Sequence, residues 1–167
     1  NSYNESYYIL YKMNNLILVR HGQSIWNKER RFTGWVDVEL TEHGKSEAKL
    51  AGQLIKELNI KFDIYFTSVQ KRAIHTIEII LDILNKKNSE IKKAWELNER
   101  HYGALTGLNK DEMIKKHGEK QVHIWRRSFD VAPPPMEKTS PNHPSKNKAY
   151  INIPTNKIPS CESLKNT

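Results

Sequence analysis

The chain has 167 residues, of which 37% are hydrophobic and 28% are charged, a composition typical of one soluble globular domain. No apolar run approaches the roughly 20 residues of a membrane span and no secretory leader is recognisable, so we expect a cytoplasmic protein without a membrane partner. The net charge of +8 comes without a long run of Lys or Arg, which favours small anionic ligands over nucleic acid.

Disulfide and metal chemistry are disfavoured by the residue content. Cys161 is the single cysteine, so it has no partner for an internal disulfide. The seven histidines are scattered and form no His-x-x-x-His pair. We therefore expect no metal site.

The first methionine, Met13, divides the chain into two parts. Residues 1–12 are rich in Tyr, Asn and Ser and are predicted to be an extension that is disordered or non-native. Residues 13–167 are predicted to form the globular domain, with a Pro-rich insertion over residues 132–160.

A short apolar run, Leu16 to Val19, leads directly into Arg20-His21-Gly22. This pattern predicts a buried strand that ends in a tight loop, where open α/β sheets bind their ligands. Histidine offers an uncharged nucleophile at neutral pH and arginine a fork of donors, so the pair suits phosphate chemistry. On this tripeptide alone, polar residues that simply reach solvent are an equally good reading.

Residues 28–39 lack helical periodicity and are predicted to form a loop over the strand end. The aromatic rings there either line a pocket or anchor the loop. Thr41 is a predicted N-cap for a helix whose apolar positions recur at helical spacing. These positions are Ala48, Ala51, Leu54, Ile55 and Leu58.

A second strand is predicted over residues 62–66, closed by Thr67-Ser68, and the next helix carries an apolar stripe. The stripe consists of Ile74, Ile77, Ile80, Leu81 and Leu84. Arg72 lies in the first turn of this helix, where a cation opposes the helix dipole. Either a bound anion compensates this charge, or Arg72 is an exposed side chain.

A third strand is predicted over residues 91–97, and helical sequence from Asp111 to about Ser128. The alternation of strands and helices predicts an α/β fold in three layers, a mostly parallel sheet flanked by helices. Residues 132–160 are predicted to be an extended insertion or lid rather than a regular element.

Several motifs spread along the chain carry a resemblance to one known family. They are Arg20-His21-Gly22-Gln23-Ser24-Ile25-Trp26-Asn27, Arg31-Phe32-Thr33-Gly34-Trp35, Phe62-Asp63 with Thr67-Ser68 and Arg72-Ala73, Leu97-Asn98-Glu99-Arg100-His101-Tyr102-Gly103, Gly107-Leu108-Asn109-Lys110, Gln121 to Phe129, Pro133-Pro134-Pro135 and Glu162-Ser163-Leu164-Lys165. In these motifs the chain resembles the cofactor-dependent phosphoglycerate mutases of the histidine phosphatase superfamily. The resemblance covers almost everything from Met13 to Thr167.

The resemblance implies a role for each of four residues. His21 is expected to be the nucleophile that becomes phosphorylated, and Glu99 the proton donor and acceptor. Arg20 and Arg72 are expected to hold the transferring phosphoryl group.

The resemblance also implies a set of ligand contacts. Arg126 and Arg127 suit a carboxylate or a second phosphate, although cations also favour the end of a helix without any ligand. The expected substrate-binding residues are Arg20, His21, Gly22, Gln23, Ser24, Ile25, Trp26, Asn27, Thr33, Gly34, Arg72, Glu99, Arg100, His101, Tyr102, Lys110, Arg126 and Arg127.

In this family, 2,3-bisphosphoglycerate primes the histidine, and 2-phosphoglycerate and 3-phosphoglycerate are interconverted in glycolysis and gluconeogenesis without a metal. The resemblance further implies a homo-oligomer for the full-length protein. Family members continue beyond the position of Thr167 into a segment with a second pocket histidine. We therefore expect this sequence to be an incomplete part of such a protein, with an apolar edge left on its sheet. A related phosphatase or bisphosphoglycerate synthase, or a non-catalytic anion-binding module, are the alternatives.

Overall fold

The computed structural model describes residues 15–167. Within this range the regular elements are α1 (Ile25–Lys28), α2 (Glu42–Glu57), β1 (Tyr65–Thr67), α3 (Lys71–Ile83), β2 (Ile91–Lys93), α4 (Lys110–His117) and α5 (Glu119–Arg127). Single turns of 3-10 helix occupy Trp95–Leu97, Gly103–Leu105, Pro144–Lys146, Lys148–Tyr150 and Thr155–Lys157. The prediction for residues 1–12 lies outside the described residues.

The two strands form a parallel sheet connected through α3, which confirms the α/β architecture. Tyr65 pairs with Ile91 and Thr67 with Lys93. Each strand has only three residues, so both strands are shorter than the sequence predicts. After β2 the chain turns at Trp95, whose ring packs 6.0 Å from that of Trp35.

The predicted strand over Leu16 to Val19 is not formed. Residues 15–23 have no regular structure, and the side chains of Leu16 and Leu18 are 81% and 85% exposed. A strand requires a neighbour that accepts its ladder hydrogen bonds, and no segment among the described residues pairs with this one. The prediction of a buried strand is therefore wrong for this chain, and an apolar segment faces solvent.

Helix α2 begins as predicted, because the Thr41 side chain accepts a hydrogen bond from the Gly44 backbone N–H over 3.0 Å. Its buried face differs from the predicted one. Leu54 and Leu58 are more than half exposed, whereas Gly44, Ala48 and Gly52 are buried. Small residues face inward because α2 lies close to the chain at residues 22–23 and to α3.

Helix α3 buries Ile80 and Leu81, two members of the predicted stripe. It also buries two polar residues on the turns nearer its start, Arg72 and Thr76. Buried polar side chains need hydrogen-bonding partners, so these two residues point to a polar centre at the N-terminal end of α3.

The predicted helix from Asp111 to about Ser128 is divided at Gly118 into α4 and α5. Gly118 has a φ of +82°, a left-handed conformation that an α-helix does not contain. The break allows Met113 of α4 and Val122 of α5 to enter the same apolar cluster.

The core is built around the loop that follows α1. Phe32 packs with Leu105, Met113 and Val122, and its ring lies 5.2 Å from that of Tyr102. Three residues beyond Phe32, a second cluster combines Trp35, Tyr150 and Ile153. Phe32 and Trp35 are almost fully buried, so these two rings anchor the loop.

The Pro-rich residues 132–160 contain only single 3-10 turns, as expected for an insertion without regular elements. They are packed against the domain, because Tyr150 is buried and its hydroxyl donates to the Trp35 carbonyl over 2.7 Å. This segment contributes to the core.

Candidate active site

His21 is half-buried at the centre of a polar cluster. Its Nδ1 lies 2.7 Å from the Gly22 carbonyl oxygen, and because a carbonyl only accepts, Nδ1 carries the ring hydrogen. Nε2 therefore has a free lone pair, to which Arg72 Nε donates across 3.3 Å. Burial lowers the pKa of His21; the Gly22 bond and Glu99 oppose this shift, whereas Arg72 and Arg20 add to it. The lowered pKa favours the neutral ring, in which the lone pair of Nε2 has the chemical character of a nucleophile.

Arg72 is fully buried, and its guanidinium is held on several sides. Besides its contact with His21, it donates to the carbonyl of Gly34 over 2.8 Å and to that of Val36 over 2.9 Å. It also donates to Oε2 of Glu99 over 3.1 Å. These bonds fix the orientation of a permanent positive charge beside Nε2.

The Glu99 carboxylate is held by Arg72 on one side, and its side chain is 33% exposed. The negative charge of Glu99 acts on His21, since it raises the pKa of that imidazole. A carboxylate that contacts Arg72 and still reaches solvent can exchange a proton with a bound ligand. His21, Arg72 and Glu99, which are predicted to be the nucleophile, a phosphoryl-binding cation and the proton partner, are therefore neighbours.

The loop around Gly34 connects Arg72 to the backbone of residues 100–102. The Gly34 carbonyl accepts hydrogen bonds from both Gln70 and Arg72. Its φ is +58°, and a Cβ there would lie 3.1 Å from the Tyr102 backbone nitrogen and 3.2 Å from the Arg100 carbonyl oxygen. Glycine is required at this position because both the conformation and the close approach exclude a side chain.

Lys110 lies at the start of α4 within reach of the same charges. Burial lowers the pKa of its ammonium group, followed by the positive charge of Arg126. Glu99 opposes this shift, while Arg30 and Arg20 add to it. Lys110, Arg126 and Arg20 thus form one electropositive region beside Glu99, which favours an anionic ligand.

Several predicted contact residues serve the local structure of the loop. Ser24 caps α1 and accepts from the Asn27 N–H over 3.2 Å, while the Asn27 side chain accepts from the Ser24 N–H over 3.1 Å. Gln23 accepts from the Thr41 hydroxyl over 2.9 Å. These bonds hold the loop after His21, and the ligand contacts of the three residues stay predictions.

Arg100 extends away from Arg72 to the end of α5. One terminal nitrogen donates to the Trp125 carbonyl over 2.6 Å, and the guanidinium carbon lies 4.8 Å from the centre of the Tyr102 ring. Among the described residues, no group accepts a hydrogen bond from its other terminal nitrogen, which is buried.

The His101 side chain does not reach the surface, contrary to the expected ligand contact. It is fully buried, its Nδ1 accepts from the Gly103 N–H over 2.9 Å, and its ring lies 6.2 Å from that of Trp35. Burial lowers its pKa to about 4, followed by the charge of His143. His101 is therefore a neutral packing residue behind the loop.

The remaining predicted contacts are distributed unevenly. Thr33 is buried, and its hydroxyl has no hydrogen-bonding partner within residues 15–167, whereas Trp26 is half-buried against Gly107. Ile25 is 41% exposed, and Arg127 is exposed in the last turn of α5. Of these residues, none is placed against His21 by a hydrogen bond.

Three supporting residues were missed by the sequence reasoning. Gln70 holds the Gly34 carbonyl, Thr76 accepts from the Gly22 N–H over 3.2 Å, and Asp37 accepts from the Lys71 N–H at the start of α3 over 2.7 Å. Each acts across a long sequence separation. No local pattern in the sequence marks such partners.

A groove of about 830 Å³ runs from this cluster along the exposed apolar segment. Its lining includes Arg20, His21 and Glu99, together with apolar side chains from residues 16–19, β1 and α3. These three polar side chains therefore line a depression that is large enough for a ligand.

No helix within residues 15–167 combines the length and the apolar character needed to span a membrane. Over the same range, no group of three or more His, Cys, Asp or Glu side chains is arranged to hold a metal ion.

The family model of the histidine phosphatase superfamily (branch 1) matches residues 16–142. The match includes His21, Arg72 and Glu99, the three residues at the centre of the cluster. The chain belongs to the histidine phosphatase superfamily.

Within this superfamily, the chain is similar to curated proteins named 2,3-bisphosphoglycerate-dependent phosphoglycerate mutase. It is 54% identical over 155 residues to one from Hydrogenobaculum sp. (strain Y04AAS1), a match that covers 93% of this chain and 63% of the relative. It is 56% identical over 155 residues to one from Pelagibacter ubique (strain HTCC1062), with 93% of this chain and 65% of the relative covered. The chain thus spans less than two thirds of the length of these relatives.

Solved structures show the same fold at lower identity. A phosphoglycerate mutase from Bacillus anthracis str. Sterne is 26% identical with a TM-score of 0.57, over 66% of this chain and 50% of that chain. Bacillus stearothermophilus YhfR is 32% identical with a TM-score of 0.55, over 64% and 50% respectively. These similarities support the α/β assignment.

Proposed function

We propose that His21 accepts a phosphoryl group on Nε2 and that the full-length protein is a 2,3-bisphosphoglycerate-dependent phosphoglycerate mutase. The observation that carries the proposal is the contact between His21 Nε2 and the buried guanidinium of Arg72, which also holds Glu99. The similarity to the two curated mutases supports the choice of reaction.

In the proposed step, the Nε2 lone pair attacks phosphorus, a P–N bond forms and the P–O bond to the donor breaks. The departing oxygen takes a proton from the carboxylic acid form of Glu99, which becomes a carboxylate. Arg72 and Arg20 offset the charge on the phosphoryl oxygens. In the reverse step, the Glu99 carboxylate accepts the proton of the incoming hydroxyl group.

We propose 2,3-bisphosphoglycerate as the primer and 2-phosphoglycerate and 3-phosphoglycerate as the substrates, which places the protein in glycolysis and gluconeogenesis. Lys110 and Arg126 provide cationic groups for the carboxylate or second phosphate of such acids. The proposal requires no metal.

The proposal is tested by acid-labile phosphohistidine formation after mixing the chain with 2,3-bisphosphoglycerate. The parent should take up label and His21→Ala should take up none, while His43→Ala, which changes an exposed histidine of α2, should be labelled like the parent. Circular dichroism verifies that all three chains are folded.

An unlabelled but folded parent would contradict phosphoryl capture by this chain. If label is captured and then passed to 3-phosphoglycerate, mutase chemistry is supported; rapid loss of label as inorganic phosphate would instead identify a phosphatase. Equal labelling of His21→Ala and the parent would exclude His21 as the acceptor.

A further inference from the structure

Residues near the end of the chain hold the loop that carries Glu99. The backbone N–H of Glu162 donates to the His101 carbonyl over 2.9 Å, and the Glu162 carboxylate accepts from the His101 N–H over 2.7 Å. Both polar groups of the His101 backbone are therefore bonded to one residue, 61 positions further along the chain.

The hydrogen bond that the Glu162 carboxylate accepts from the His101 N–H is charge-assisted, and such bonds are stronger than hydrogen bonds between neutral groups. Glu162 is half-buried, and burial raises its pKa, while the His101 N–H and the charge of Arg100 oppose this shift. A carboxylate removed from much of its water binds a peptide N–H more tightly than it would on the surface. Nothing else among the described hydrogen bonds engages this N–H.

The His101 peptide is the point where three side chains diverge. Glu99 points to Arg72, Arg100 extends to the Trp125 carbonyl, and the His101 ring turns into the core. Glu99 and His101 are two residues apart on one loop, so a displacement of the His101 backbone is transmitted to the backbone that carries Glu99. The two hydrogen bonds from Glu162 to His101 therefore restrain the loop that carries Glu99.

We propose that Glu162 is a positioning residue for phosphoryl transfer, which acts through the His101 N–H to hold Glu99 in place for proton transfer. The inference deepens the proposed function and rests on it. Glu162 contacts neither His21 nor Arg72 in the described hydrogen bonds, so its effect is expected on the rate of the step more than on ligand affinity.

The first test is the rate of phosphohistidine formation at increasing concentrations of 2,3-bisphosphoglycerate. Glu162→Ala should lower the maximum rate about tenfold, because small displacements of catalytic groups are costly, and should change the half-saturating concentration less than about twofold. Glu162→Gln, which retains an oxygen acceptor, should recover most of the rate. Glu137→Ala removes an exposed carboxylate outside the site and should match the parent.

Two outcomes of this test would overturn the proposal. One is a parental rate in Glu162→Ala; the other is a rise in the half-saturating concentration with an unchanged maximum rate. A loss of rate that Glu162→Gln does not recover would also contradict an acceptor role for this side chain.

A second measurement is independent of turnover. In amide NMR spectra, Glu162→Ala should shift the resonances of residues 99–103, and Glu137→Ala should leave them in place. If the parent takes up no label while these shifts occur, the proposed function fails and the positioning contact stands. If residues 99–103 do not shift, the positioning role is refuted whatever the labelling result.

Discussion

Gly22 and Gly44 lie in direct backbone contact. A Cβ on either residue would overlap backbone atoms, those of Gly44 for Gly22 and those of Gln23 for Gly44. The backbone beside His21 is thereby packed directly on the first turn of α2. The position of His21 thus depends on a contact between two residues without side chains.

Gly44→Ala should destabilise the fold by about 3 kcal/mol, because backbone atoms cannot move aside as a flexible side chain can. Gly52→Ala, on the same helix, places its Cβ 3.0 Å from the Ile83 Cβ and 3.3 Å from the Ile80 Cα. It should destabilise the fold less than Gly44→Ala, since the contacts are longer and the gain in helix propensity of about 1 kcal/mol offsets part of the crowding. Urea denaturation of both variants checks this difference, and equal losses would contradict it.

Arg72→Lys should lower the free energy of unfolding by about 3 kcal/mol, because lysine retains the charge but not the fork that bonds Gly34, Val36 and Glu99. Arg30→Lys is the matched control, since Arg30 pairs with Asp111 on the surface. Such an exposed pair contributes little to stability, because water screens its charges. Similar losses in thermal or chemical denaturation would show that Arg72 is not a structural centre.

His101 should make stability depend on pH in the acid range. Burial lowers the pKa of His101 from 6.5 to about 4, so the unfolded chain binds a proton first as the pH falls. The free energy of unfolding should therefore decrease between about pH 6.5 and pH 4, by up to about 3 kcal/mol from this group.

The measurement is denaturation of the parent and of His101→Asn at several values of pH. The variant should lose less stability than the parent across this interval, whereas His43→Asn should retain the parent's slope. Identical slopes for the parent and His101→Asn would show that the His101 ring is protonated as easily in the folded protein as in the unfolded chain.

Arg126→Ala should raise the pKa of Lys110, because the charge of Arg126 is the second cause of the lowered value after burial. Arg127→Ala should change it less, since Arg127 is not among the groups that act on Lys110. NMR titration of the lysine Cε resonances distinguishes the two variants. If the pKa of Lys110 changed more in Arg127→Ala than in Arg126→Ala, Arg127 rather than Arg126 would be the arginine that acts on Lys110.

The sequence predicted the central groups of the site mainly through its resemblance to the phosphoglycerate mutases. Local patterns alone left Arg20-His21-Gly22 and Arg72 open between a ligand site and solvent-exposed side chains, and the role of Glu99 rested on the resemblance. The structure brings His21, Arg72 and Glu99 together, and their catalytic roles stay predictions. The histidine phosphatase superfamily assignment is consistent with these predictions.

The sequence was less informative about burial. It predicted a buried strand at Leu16 to Val19, yet these residues are exposed because a strand depends on partners elsewhere in the chain. It also predicted that His101 contacts the ligand, although the ring is enclosed. Contacts across long separations, such as Glu162 with His101, leave no periodic signal that local reasoning can find.

The contact between Arg72 and His21 has a consequence for the order of events in the proposed reaction. In the free state, the Nε–H of Arg72 is satisfied by the lone pair of Nε2. Formation of a P–N bond uses that same lone pair, so the N–H loses its acceptor at the moment when phosphoryl oxygens arrive beside it. One donor therefore serves first to orient the nucleophile and then to hold the transferred group, and no side chain has to move between the two tasks.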